Sequence, residues 1–421
     1  MSASTDATTA QAPRTGCPVA HGFDAFEQAD PYPAWTHLRG DDPVFFDEHT
    51  GYWVVSRYDD VRAVFGDWET FSSAIAHEPV RQRGPEARRI MDEGGFTAYS
   101  GLSARVPPEH TRIRSVVSKG FTPRRYAALE PTVRAATNRV LDRVLAAPDR
   151  RADLLPTLCD EIPVVTILAL LGLDMTEDLA TYKKWSAARA AMTWSDLSDD
   201  EQVPHAEAMV EYWRACLALV ADAHADERET LVGDLVRAQA GGDPISDHEI
   251  ASVCYSLLFA GHETTTALLS NLFRLVLADR VGWQRIVDDP SLAPNAVEEV
   301  LRFSPSLNAW RRIATRDARI GGVAVPAGAR ILLLMGSANR DGEMFPEPDE
   351  LQIDRANARK HLAFGYGLHY CLGNKLAKLE ARLVVEEVAA RVPQLRLADD
   401  AGFEFPRSLT VHAPAAVPVA W

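Results

Sequence analysis

From residue 124 to residue 290 apolar side chains recur mostly at helical spacing, and the pattern breaks at "AAPDR", "GLDMTED" and "AGGDPISD". So long a helical tract commits the chain to a mainly α fold with a minor β portion. Within it, "PVVTILALLGL" (163–173) is far short of the ~20 residues a membrane span needs, and reads as a buried helix. Ser246 and Glu249 form a capping box that opens a helix running toward 278. The β portion lies elsewhere. Residues 52–56 of "GYWVVSRYDDVRAVF" read as a strand turning into a helix, and "RIGGVAVPAGARILLLMGSA" has the punctuated alternation of short strands. Residues 72–105, rich in glycine and charge, read as a long irregular connection able to line a site. No linker or internal repeat divides residues 23–421, so one domain is expected there, after a disordered leader over residues 1–22.

A formal net charge of -15 argues against nucleic acid or an anionic membrane as the main partner. The five cysteines (17, 159, 216, 254 and 371) are scattered and odd in number, which suits a reducing cytoplasm and no disulfide framework. No CxxC or CxxCH occurs, so neither a zinc knuckle nor covalent haem attachment is signalled. The polar first residues lack the apolar core of a signal peptide or anchor. A soluble, cytoplasmic protein is expected.

One cysteine has a distinctive setting, "HLAFGYGLHYCLGNKLAKLE" (361–380). Gly365 and Gly367 precede Cys371 and let the backbone turn where a side chain would not fit. After Gly373, Leu376, Ala377, Leu379, Leu383, Val384 and Val388 continue an apolar face at helical spacing. The thiol therefore sits just before a helix N-terminus, where amide groups and the helix dipole favour thiolate. A thiolate is a nucleophile or a metal ligand.

Three other stretches bear on that choice. In "LLFAGHETTTALL", Ala260 and Gly261 leave room for a ligand, and Glu263 beside Thr264 sets an acid next to an alcohol, a pair able to relay protons into a dry pocket. In "NAVEEVLRFSP", Glu299 and Arg302 stand three apart on a helix ended by Pro305. "PPEHTRIR" offers His110 and Arg114, and "RRIATRD" offers Arg312 on an expected strand; basic groups converging from different elements suit a carboxylate.

Taken together, "FGYGLHYCLG" with the FxxGxxxCxG signature, "AGHETT" and "EEVLR" with its ExxR, in this order and separation, resemble the cytochrome P-450 superfamily of haem-thiolate monooxygenases. The resemblance spans residue 23 to Trp421. "GYWVVSRYDDVRAVF", "PNAVEEVLR", "AWRRIATRDARIGGVAVPAGA" and "FGYGLHYCLGNKLAKLE" look closer still to the haem domains of bacterial self-sufficient members that carry a fused flavin and iron–sulfur reductase. The chain ends where such a haem domain ends, which leaves open a stand-alone relative and a domain cut at that border. It departs from them at "LTVHAP" (409–414), where those relatives tend to have an Arg-Gly pair, so no substrate is carried over.

The resemblance implies a non-covalent haem b held by Cys371, with Phe364 near the thiolate and Ala260 and Gly261 against the haem. It makes His110, Arg114, Arg312 and His369 the propionate partners, and turns Glu299 and Arg302 into a buried structural pair. Thr264 becomes the hydrogen-bond partner of bound dioxygen and Glu263 the relay of protons from solvent. Ser256, Phe259, Ala260, Leu307, Asn308, Ala309, Thr410 and Val411 would face the substrate, a small to medium hydrophobic molecule, aromatic ones included, hydroxylated or O- or N-dealkylated at a C–H bond. No flavin, nicotinamide or iron–sulfur motif is present, so electrons are expected from a ferredoxin and its reductase or from a separate or fused reductase. Arg112, Arg124, Arg125, Lys360, Lys375 and Lys378 offer a basic patch to steer it. Two other functions compete: a peroxygenase driven by hydrogen peroxide, and a haem-thiolate sensor without turnover. The intact Glu263–Thr264 pair speaks for the dioxygen route.

Overall fold

The computed structural model describes residues 22–99, 101–173, 179–225, 229–398 and 402–421; the expected leader over 1–22 lies almost wholly outside them. Nine helices suffice to position the site: α1 (Pro85–Glu93), α2 (Glu109–Val117), α3 (Pro123–Leu145), α4 (Asp160–Leu171), α5 (Leu179–Trp194), α6 (Asp199–Ala225), α7 (Asp247–Ala278), α8 (Ala293–Phe303) and α9 (Asn374–Arg391). The helical tract is as expected, with one short strand, Arg151–Asp153, inside it. Residues 72–105 are not wholly irregular. They hold α1, which Pro85 opens and whose Ala87 and Met91 are buried.

The long helix α7 begins at the expected Ser246–Glu249 capping box. It threads the centre of the molecule and packs on α4, α5, α6, α8 and α9. The apolar stretch at 163–171 is α4, buried along nearly its whole surface and stopped by Gly172 in the left-handed region at φ 87°. Gly261 of α7 faces this helix. A Cβ there would lie 2.8 Å from Ile167 Cδ1, so the absent side chain lets α4 and α7 approach. Among the described residues no helix is long and apolar enough to cross a membrane.

A five-stranded sheet flanks the helices: β1 (Val44–Asp47), β2 (Tyr52–Val55), β3 (Phe71–Ser72), β4 (Ala309–Ala314) and β5 (Arg330–Leu334), in the order β1-β2-β5-β4-β3. β2 and β5 run parallel, with Tyr52 opposite Arg330; β4 pairs antiparallel with β5, which sets Arg312 opposite Ile331. One apolar core joins α3, α4, α7, α8 and α9, and Arg134 of α3 ties the outside of α9 through Glu386 and Glu387 at 2.7 and 2.6 Å.

Candidate active site

The loop before α9 is shaped by backbone demands. Gly365 and Gly367 have φ of 69° and 73°, and a Cβ at Gly367 would lie 2.9 Å from the Phe65 carbonyl oxygen. The amide of Cys371 donates to the Phe364 carbonyl at 3.0 Å, folding the loop back on itself. The Gly373 and Asn374 amides point at the sulfur, and the Arg114 and Lys378 charges favour its ionised form. Burial is larger than these and pushes the thiol up. The helix N-terminus alone does not make this group a thiolate; a bound cation would. Cys159, Cys216 and Cys254 are buried in the core, while Cys371 and Phe364 line a cavity.

Beside the cysteine, four basic side chains converge from three elements. His110 and Arg114 lie on α2, Arg312 on β4 and His369 in the loop. The His110 and His369 rings are 4.3 Å apart. His110 is fully buried with neither ring nitrogen partnered among the described residues, and His369 Nε2 meets Ser73 Oγ at 3.1 Å. Arg114 donates to the Tyr370 carbonyl at 2.6 Å, and Arg312 to the Arg311 carbonyl at 2.9 Å. Burial depresses His110 to about 4 and Arg312 to about 10; burial and the three neighbouring groups depress His369 to about 3. No carboxylate pairs with Arg114 or Arg312 among the described residues. So many donors without an acid form a site short of negative charge.

The same cavity reaches α7, where Ser256, Phe259, Ala260, Gly261 and Thr264 line it, joined by Leu307. The Thr264 hydroxyl donates to the Ala260 carbonyl at 2.7 Å, and its own carbonyl accepts from Ser306 Oγ at 2.7 Å. Glu263 stands outside the cavity lining. Its carboxylate is 3.7 Å from His262 Nδ1, His262 Nε2 meets Asp160 Oδ1 at 2.7 Å, and Lys183 meets Asp160 Oδ2 at 2.6 Å. Burial raises the Glu263 carboxyl despite the His262 ring. Asn308, Ala309, Thr410 and Val411 also stand outside the lining; the Asn308 amide is turned to Gln28 Oε1 at 2.9 Å.

Sequence reasoning missed other lining residues: His77, Ser103, Arg189, Trp194, Trp310 and Glu380. Trp310 and Glu380 fall inside quoted stretches but were given no role there, and only the long 72–105 connection signalled that His77 and Ser103 could reach a site. Of the basic patch, Arg112, Arg125 and Lys378 are engaged with Glu249, Asp234 and Glu298 at 2.5, 2.5 and 3.1 Å. Arg124, Lys360 and Lys375 are exposed.

Comparison with known proteins decides what this arrangement is. The family model for cytochrome P-450 matches residues 291–389. The mycinamicin IV hydroxylase/epoxidase of Micromonospora griseorubida is 32% identical over 372 residues, 88% of this chain and 89% of that protein. The chain belongs to the cytochrome P-450 family. Among solved structures, cytochrome P-450 CREJ in complex with (4-ethylphenyl) dihydrogen phosphate is 55% identical at a TM-score of 0.93, covering 95% of this chain and 99% of that one. An intact type IV self-sufficient cytochrome P-450 monooxygenase is 36% identical at a TM-score of 0.92, covering 98% of this chain and 55% of that one.

A cytochrome P-450 is a monooxygenase that holds haem through a cysteine thiolate. The residues present fit that group. The cavity carries a cysteine on one loop, and the acid-free cluster of His110, Arg114, Arg312 and His369 suits the two carboxylates of a haem edge. Among the described residues no cluster of His, Cys, Asp or Glu offers a separate metal site.

Proposed function

We propose that this cytochrome P-450 takes two electrons from a redox partner, activates dioxygen and inserts one oxygen atom into a C–H bond of a small alkyl-substituted aromatic molecule. The observation that carries the reading is that Cys371 and Thr264 line one cavity whose walls are largely apolar, with a few polar and charged groups among them. The haem b supplies dioxygen reduction and oxygen-atom insertion. Cys371 would hold its iron, and Arg114, Arg312, His110 and His369 its propionates.

The chain's own part is placement and proton supply. Thr264 Oγ1 carries a proton that now rests on the Ala260 carbonyl and can be presented to the cavity by rotation about χ1. Burial raises the Glu263 carboxyl, which hands a proton forward and is resupplied through His262 and Asp160, whose side chain is 21% exposed. Phe259 and Trp310 exclude water and hold a flat substrate. The 55% identity to CREJ, solved with an aryl phosphate, supports a substituted phenyl phosphate as the substrate class.

The test is turnover with surrogate ferredoxin, reductase and NADPH under ¹⁸O₂. One labelled oxygen in the product is expected. Label from hydrogen peroxide instead would make the protein a peroxygenase, and spectral binding without product would make it a sensor.

A further inference from the structure

The cavity wall away from the cysteine loop holds a charge that the monooxygenase chemistry leaves unused. Arg189, on α5, is 4% exposed, and no carboxylate pairs with it among the described residues. Its Nη1 donates to the Tyr255 carbonyl at 2.6 Å, and the Tyr255 and Phe259 rings lie 4.3 and 4.6 Å from the guanidinium carbon. Nε and Nη2 have no partner among the described residues, and the side chain lines the cavity. A cation taken from water without an anion costs several kcal/mol, so its retention points to a ligand that carries the missing charge.

Two further donors face the same space. Trp194 Nε1 is buried without a partner, and its ring lies 5.0 Å from that of Phe259. His77 Nδ1 is likewise buried and unpartnered, while its Nε2 meets Ser103 Oγ at 2.5 Å. With the Ser103 hydroxyl donating to Nε2, the ring proton sits on Nδ1 and is free to donate. The His77 and Trp194 rings are 6.4 Å apart, so the donors share one chamber. A neutral phenol oxygen satisfies one of them; a phosphate monoester, with three terminal oxygens and up to two charges, satisfies all.

We infer that Arg189, Trp194 and His77 form an anion subsite that binds the phosphate of an aryl phosphate monoester and so aims its ring substituent toward Thr264. Tyr255, which anchors Arg189, precedes Thr264 by nine residues on α7, about 13 Å along the helix at 1.5 Å per residue. Phe259 lies between them under the aromatic ring. The inference rests on the monooxygenase reading and names the substrate class of that site.

The test titrates haem-loaded protein with 4-ethylphenyl phosphate and with 4-ethylphenol, reading the Soret shift, with inorganic phosphate as competitor. The ester should bind about 10–100-fold more tightly than the phenol, the worth of charge-assisted hydrogen bonds. Arg189→Met should abolish most of that preference, and Trp194→Phe and His77→Phe each part of it, while phenol affinity changes little. Equal affinity of the two probes in the unaltered protein, or a preference that survives all three variants, overturns the subsite. Should Arg189→Met fail to hold haem, the other two variants and the unaltered protein still decide. A normal thiolate spectrum with oxidation of 4-ethylphenol but no anion preference defeats only the subsite; absence of the thiolate band defeats the underlying reading.

Discussion

Arg302 meets Glu299 through two parallel hydrogen bonds of 2.7 Å, Nε to Oε2 and Nη2 to Oε1, and neither side chain is exposed to solvent. Glu299 Oε1 also accepts from Arg355 Nε and the Gln352 amide, both at 3.0 Å, while Arg302 donates onward to the Asn339, Pro348 and Glu350 carbonyls. One pair thus pins α8 to the segments that lead into the cysteine loop, and Asn339 Oδ1 in turn accepts from the Leu362 amide at 2.6 Å.

Removing Glu299 leaves Arg302 and Arg355 buried without their acid, and removing Arg302 leaves Glu299 with Arg355 alone to balance it among the described residues. Glu299→Gln or Arg302→Met should destabilise the protein by about 3–5 kcal/mol, with haem lost at lower denaturant than in the unaltered protein. Urea unfolding followed at the Soret band measures this. A loss under 1 kcal/mol would mean the network is only surface-grade in strength.

Cys371 is expected to set the spectrum. The reduced, carbon monoxide-bound protein should absorb at the position typical of thiolate-ligated haem, and Cys371→His should move the band to that of histidine-ligated haem. An unchanged band in the variant would take Cys371 off the iron. Cys159, buried in the apolar core, serves as the control: Cys159→Ala should leave the band in place.

Thr264 and Glu263 should separate by phenotype, because one lines the cavity and the other heads the chain to Asp160. Thr264→Ala should bind substrate and consume NADPH while product per NADPH falls and peroxide rises. Glu263→Gln should lower turnover, and Asp160→Asn should follow it in the same direction, since both supply the same proton. Unaltered coupling in Thr264→Ala would assign the donor role to another group.

Much of this was legible in the sequence, and the reason is physical. Capping boxes, glycines at positive φ and a cysteine before a helix are local demands, readable from a few neighbours; Ser246, Gly365, Gly367 and Cys371 are of this kind. Arg189 and Trp194 lie on α5 and His77 in the 72–105 segment, and no spacing marks them, so only tertiary packing brings the three to one cavity. Gly261 shows the converse. Its small size suggested room for a ligand, and it does line the cavity, but the same missing side chain also lets Ile167 of α4 pack against it, which the sequence does not show. Helix α1 within 72–105 was masked by the glycines and charges around it.

Glu380 provides a pH signature. It is 2% exposed, Oε1 has no partner, and burial pushes the carboxyl up to about 8. The nearby Thr166 hydroxyl pulls the other way, but burial outweighs it. The unfolded chain releases this proton near pH 4.3 and the folded chain only near 8. Between these values the folded state binds the extra proton, so stability must fall as pH rises. Glu380→Gln should remove that part of the slope, read as urea midpoints at pH 5.5 and 8. Parallel slopes for the two proteins would mean the carboxyl is already ionised when folded.

The docking of an electron donor should divide the basic residues by their partners. Arg112, Arg125 and Lys378 hold acids of this chain, so their charges are largely neutralised at short range. Arg124, Lys360 and Lys375 are exposed, and Lys375 opens α9 four residues after Cys371. Exposed charges attract over ~8 Å at physiological salt and weaken as salt rises. Lys375→Glu and Arg124→Glu should therefore raise the KM for an acidic ferredoxin several-fold and flatten its salt dependence, with kcat at saturating ferredoxin nearly kept. Arg125→Gln should instead lower stability slightly, because Asp234 keeps only Arg237 of its two ion-pair partners among the described residues, and leave the salt slope alone. Turnover insensitive to salt would dismiss the patch while keeping the need for a partner. Steady product from the purified chain, NADPH and substrate alone would remove that need as well.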